Sequence, residues 1–379
     1  MTRHMKAWLR PTLLTFALVA FATIANTVAL AATPTVVGAV YTETNAPNNA
    51  TNFVYEWARN SDGTLTFVNS YSAGGRGRGP GIESQGGVIL SNDNAWLFAV
   101  NAGSNSIAVF SVGSPNGLTL IGTVSSGGTF PISLTMHGNL VYVLNTGATT
   151  TKCSSISGFT FSGGVLTPLA GSTLPLTTCL AAPSQVGFSP DGTLLFVDER
   201  ATGNIDAFTI DSSGLPTFSM AQASPSGGPF GFVFDNTNHM MLIQAANSSV
   251  SSFSSSPTGA LTVISNSVKD LGAAACWISV TNNLMFANQY LYVDNTVSHS
   301  VSSFTIASDG SVTLLAAKAA VVPGSHPLDN GVSPDGAYLY VNDKLVGQIA
   351  AYQISSNGSL TAITGATGVP STVVGLAVR

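Results

Sequence analysis

The chain of 379 residues is 45% hydrophobic but only 8% charged, against about 25% charge in an ordinary soluble domain. Its net charge of −5, with no run of Lys or Arg, excludes sequence-independent binding to nucleic acid, which needs clustered positive charge. Three cysteines are too few for a disulfide-built miniprotein, no C-x-x-C pair offers a structural zinc site, and 39 glycines point to a turn-rich all-β chain.

The first element is an export signal. Arg3, Lys6 and Arg10 form a basic start, and Thr12 to Leu30 is an apolar run. Ala29-Leu30-Ala31 then presents the small-x-small pattern of a cleavage site, placing cleavage after Ala31. Residues 1–31 are therefore read as a signal peptide and 32–379 as one domain. The predicted location is secreted or periplasmic, with no membrane span after cleavage.

From there the chain repeats. A glycine turn leading into Leu or Val and then Thr occurs at Gly63, Gly117, Gly164, Gly214, Gly259, Gly310 and Gly358. Successive glycines are 54, 47, 50, 45, 51 and 48 residues apart. Seven copies with a period near fifty and strand-like segments predict a seven-bladed β-propeller, one four-stranded antiparallel blade per repeat. In the last repeat, Pro334-Asp335-Gly336 turns into Tyr338–Val341, Ile349–Ile354 follows, and Asn357-Gly358 turns into Leu360–Ile363. The first repeat starts at a second strand near Val36 and lacks an inner one. Val373–Val378 is a spare strand, predicted to complete that first blade and close the ring. The third repeat has irregular stretches holding Cys153 and Cys179, expected to pair as a disulfide in an exported protein. The sixth is expanded over Asn282 to Tyr290. Cys276 reads as a buried, inert thiol, and Asn49, Asn247 and Asn357 head N-x-[ST] triplets.

The recurring Gly-x-Leu-Thr turns, Ser189-Pro-Asp-Gly192 and Ser333-Pro-Asp-Gly336, and Leu339-Tyr-Val-Asn342 resemble the lactonase family of seven-bladed propellers, which includes propeller-type 6-phosphogluconolactonases and carboxymuconate cyclases. The resemblance covers the whole mature chain and implies hydrolysis or formation of a lactone. It also implies a reactive His upstream of a middle S-P-D-G turn and an Arg before that blade's third strand. Ser184 and Asn204 stand at those two positions.

Charged groups near the channel-entry positions are the site candidates. Arg76, Arg78 and Glu83 lie in or just after a glycine-rich stretch, where backbone amides could approach an anion. Glu199 is a candidate acid or base and Arg200 an anion clamp, both after the second strand of the fourth blade. His326 is a candidate general base with Asp329 as its orienting carboxylate. Asp343 and Lys344 read as a surface pair. No metal or cofactor motif is present. Two functions stay open: a lactonase-like enzyme acting on a small anionic metabolite, or a non-catalytic propeller binding a protein, polymer or cell-surface partner. A monomer is expected in either case.

Overall fold

The computed structural model describes residues 1–2, 33–48, 50–79, 82–281, 285–321 and 324–379. The predicted export signal and its cleavage point, Asn49, and the start of the expanded sixth repeat lie outside the described residues. Contacts divide the chain into Met1–Thr33 and Pro34–Arg379. Among the described residues no helix is long and apolar enough to cross a membrane.

The second unit is a ring of seven antiparallel sheets. Their inner strands, in ring order, are Val373–Val378, Val88–Leu90, Pro131–His137, Pro183–Phe188, Pro229–Phe234, Ala275–Val280 and Pro327–Val332, and each touches the next. Blades are numbered in that order. Each blade runs outward from its inner strand through three more. In blade 1 these are Val36–Thr44, Thr51–Asn60 and Leu65–Arg76, so the strand nearest the C-terminus pairs with the first strand of the unit. Tyr41 faces Ala377 and Thr44 faces Val373 in that register. Arg379 reinforces the closure: its Nε donates to the Tyr41 hydroxyl at 2.9 Å, and its carbonyl accepts from Arg59 Nε at 3.0 Å. Arg59 also pairs with Asp335 of blade 7 at 3.1 Å. In blade 3 the outer edge is divided, since Val165–Pro168 and Leu174–Pro175 both pair with Ser155–Ser162.

The second strands read as unbroken apolar runs because neighbouring blades cover both of their faces. Leu97–Val100, Leu194–Val197 and Tyr338–Val341 are buried throughout. The repeated glycine turn has a packing reason. At Gly358, φ is +79°, and an added Cβ would stand 2.3 Å from the ring of Tyr290 in the preceding blade. That positive φ and that contact leave room only for hydrogen. The Tyr292 hydroxyl donates to the Gly358 carbonyl at 3.1 Å, as Tyr340 does to Gly63 and Tyr142 to Gly214. Each turn is thus a socket for the blade before it. The S-P-D-G turn is equally local. The Ser189 hydroxyl donates to Asp191 at 2.6 Å and accepts from Leu194 N at 3.0 Å, and that serine bond holds the Asp191 carboxyl below its ordinary range.

Each second strand ends in a buried polar residue: Thr44, Asn101, Asn145, Glu199, Gln244, Asn295 and Asp343. Several of these side chains bond groups outside the strands: Asn145 Nδ2 donates to Ser126 O at 3.4 Å, and Glu199 accepts from Thr177 Oγ1 at 2.9 Å. Cys153 and Cys179 form a disulfide that ties the two irregular stretches of blade 3. Beside it Ser154 N donates to Cys179 O at 2.8 Å.

Candidate functional site

The channel is crossed near its middle by the connector entering blade 2. Ser84 Oγ donates to Ile132 O at 2.7 Å, and Leu134 N donates to Gly86 O at 2.8 Å, both in blade 3. Gln85 N donates to Ser184 O of blade 4 at 3.2 Å. On the far side, the Gln85 amide makes a two-point pairing with Ile278 of blade 6, through Nε2 to the carbonyl at 2.9 Å and Oε1 from the amide at 3.1 Å. Trp277 Nε1 donates to Ser84 O at 2.9 Å. No sequence motif marks Gln85, and the sequence reading missed it.

This strut leaves a cavity at each end. The wider one, 710 Å³, is walled by residues such as Phe188, Phe232, Val280 and Leu376, with no cationic side chain. The other, 360 Å³, opens where the inner strands begin and where second strands turn into third strands. Four of the sequence candidates line it: Glu83, Arg200, His326 and Asp329. They arrive from the blade 2 connector, the turn after Leu194–Glu199, and the entry into Pro327–Val332.

Glu83 and Arg200 meet directly across the mouth, with Nη1 to Oε2 at 2.5 Å and side-chain exposures of 60% and 33%. The Arg200 guanidinium also lies 5.5 Å from the Phe230 ring centroid, within cation–π range. Partial burial, with Lys344 and His299 nearby, holds the His326 imidazole below its ordinary pKa of 6.5. The ring is therefore neutral at neutral pH. Lys344 lines the same cavity. It is not a partner of Asp343, as the sequence suggested. Asp343 is buried and accepts from His326 N at 2.9 Å and Gln348 Nε2 at 3.1 Å.

Asp329 does not orient His326. Its carboxylate accepts from Gly375 N of blade 1 at 2.7 Å, and burial raises its pKa to about 7. It serves ring closure and forms part of the wall shared by both cavities. Glu199 does not reach the cavity. Its carboxylate accepts from Thr177 Oγ1 at 2.9 Å and Thr202 Oγ1 at 2.7 Å, as a member of the buried polar ring. Arg76 and Arg78 are also elsewhere. Arg78 lies over the Phe130 ring at 3.7 Å, and Arg76 N donates to Ser104 Oγ at 3.0 Å. Ser184 and Asn204 do not line the cavity either.

The remaining walls are residues the sequence reading left unassigned. Phe230 and Trp277 pack edge to face with centroids 5.1 Å apart, beside Ile82, Leu328 and Val374. Cys276 lines the cavity too, with its thiol pushed up to about 12 by burial, so it is not a ready nucleophile. Among the described residues no three His, Cys, Asp or Glu side chains converge as a metal set.

The family model described as "Lactonase, 7-bladed beta-propeller" matches residues 48–157 and 233–370. No curated protein matches the chain in sequence. Similar solved structures include a Bacteroides uniformis protein provisionally described as a 6-phosphogluconolactonase, at 21% identity and TM-score 0.71, covering 90% of this chain and 99% of that one. A Lactobacillus plantarum protein aligns at 18% identity and TM-score 0.71, covering 90% and 99%. The periplasmic gluconolactonase of Pseudomonas aeruginosa aligns at 16% identity and TM-score 0.68, covering 90% and 98%.

Proposed function

Since the chain belongs to the lactonase family of seven-bladed β-propellers, we propose that its smaller cavity binds and hydrolyses a small lactone in an exported, monomeric protein. The observation that carries this reading is convergence. In a chain with 8% charged residues, Arg200, Lys344 and His326 come from two blades onto one cavity. Two cations hold a carboxylate or the oxyanion that develops on the lactone carbonyl. Neutral His326 removes a proton from the attacking water. The ring C–O bond then breaks, and the imidazolium returns its proton to the leaving alkoxide. The new carboxylic acid ionises, so each turnover releases one proton. The disulfide fits an oxidising compartment outside the cytoplasm.

One observation favours a second reading, a binding module without turnover. No side-chain hydrogen bond to the His326 ring is seen among the described residues, so nothing fixes its tautomer. A pH-stat assay of the mature protein against a lactone panel separates the two. The enzyme reading expects turnover in the parent that falls in Arg200→Ala, Lys344→Ala and His326→Ala. A folded parent that releases no protons above buffer refutes it.

A further inference from the structure

We infer that the 360 Å³ cavity takes a lactone with an apolar, aromatic or aliphatic body and at most one carboxylate, and discriminates against polyhydroxylated sugar lactones. This rests on the lactonase reading of the same cavity and adds the substrate class.

The inference follows from where the cavity's hydrogen-bonding capacity is already committed. Trp277 Nε1 is taken by Ser84 O at 2.9 Å, and Thr296 Oγ1 by Pro327 O at 3.1 Å. Asp329 Oδ2 is taken by Gly375 N at 2.7 Å. Glu83 Oε2 meets Arg200 Nη1, which leaves the rest of that guanidinium for a ligand carboxylate or oxyanion. His326 and Lys344 are the lining side chains with no side-chain hydrogen bond or ion pair among the described residues. That is enough for one ester and one carboxylate. The apolar walls, in turn, offer no partner to a series of sugar hydroxyls, and a hydroxyl laid against them would surrender its water for nothing. The walls, in contrast, offer the Phe230–Trp277 pair, Ile82, Leu328 and Val374 to an apolar body. The surroundings of the polar groups are apolar as well. The residues following Thr296 and Lys344 are exposed Val297, Leu345 and Val346.

The test uses the mature protein with 3,4-dihydrocoumarin and glucono-δ-lactone as substrates, and 3-phenylpropionate and gluconate as calorimetric ligands. The expected result is a kcat/KM for the aryl lactone about 100-fold or more above the sugar lactone, the outcome when two or more hydroxyls lose their partners. Binding of 3-phenylpropionate without binding of gluconate should accompany it, and Lys344→Ala should abolish that binding. Equal or faster turnover of the sugar lactone overturns the inference and leaves the lactonase reading standing. Binding of 3-phenylpropionate with neither lactone hydrolysed overturns the lactonase reading and keeps the apolar cavity. No binding and no hydrolysis overturns both.

Discussion

Burial and neighbouring positive charge make His326 a weaker base than a free imidazole, but one already deprotonated at pH 7. Under the lactonase reading, kcat/KM should rise with pH through an apparent pKa below 6.5 and then level off. His326→Ala should remove that limb and lower the rate on the order of 10²-fold or more. A parent profile whose limb persists in the variant would assign the base elsewhere. Glu83→Gln frees Arg200 from an exposed pair worth about 1 kcal/mol at most, so stability should barely change while affinity for a carboxylate ligand rises. Lower affinity in isothermal titration would contradict that role for Arg200. Scarcity of charge made these residues legible in the sequence. What the sequence could not resolve was direction. Asp198, Glu199 and Arg200 are consecutive, yet Asp198 accepts from Ser184 N, Glu199 bonds to Thr177, and Arg200 reaches the cavity. Asp198 and Glu199, adjacent on a strand, point to opposite faces, and Arg200 lies in the turn beyond it. Phe230 and Trp277 were illegible for another reason: at the start of an inner strand a cavity wall and a core residue have the same composition.

The glycine turns make a graded prediction for elements. Gly358→Ala must accept an unfavourable φ and displace the Tyr290 ring, whereas Gly163 has a φ of +56° with nothing within 4 Å of an added Cβ. Gly163→Ala should cost about 1 kcal/mol, and Gly358→Ala on the order of 3 kcal/mol. Equal midpoints in urea would remove the socket explanation. The closing strand makes a stronger one. Deleting Val373 to Arg379 strips the inner strand from blade 1 and exposes the buried edge carrying Val40 and Tyr41. The melting temperature should drop by roughly 10 °C or more; an unchanged value would mean the ring does not depend on that pairing. The blades and their closure were readable because every repeat restates the same local chemistry: a tight turn, an apolar run, another turn. The divided edge of blade 3 was not, since its outer strand stops at Pro168 and the added Leu174–Pro175 has no counterpart in the other repeats.

Across the whole molecule, the scarce acids are concentrated inside. Burial raises Glu43, Asp198 and Asp294 well above the usual carboxylate range, Asp206 and Asp329 to about 7, and Asp270 above its ordinary value. Each binds its proton more tightly folded than unfolded. The stability they contribute is therefore complete below pH ~4 and is lost as pH rises through their folded pKa values. His326 acts in the opposite sense: its depressed pKa favours the fold as pH rises towards 6.5. Six such acids against one imidazole predict a melting temperature several degrees higher at pH 5 than at pH 8, measured by calorimetry. Glu43→Gln should flatten the slope; a parent that melts higher at pH 8 would refute this account. The strut built on Gln85 has a consequence for traffic. A propeller axis can serve as a thoroughfare, but here the Gln85 strut lies across it with a cavity on either side. Under the lactonase reading, departing product and arriving substrate then compete at the threshold that Glu83 and Arg200 span.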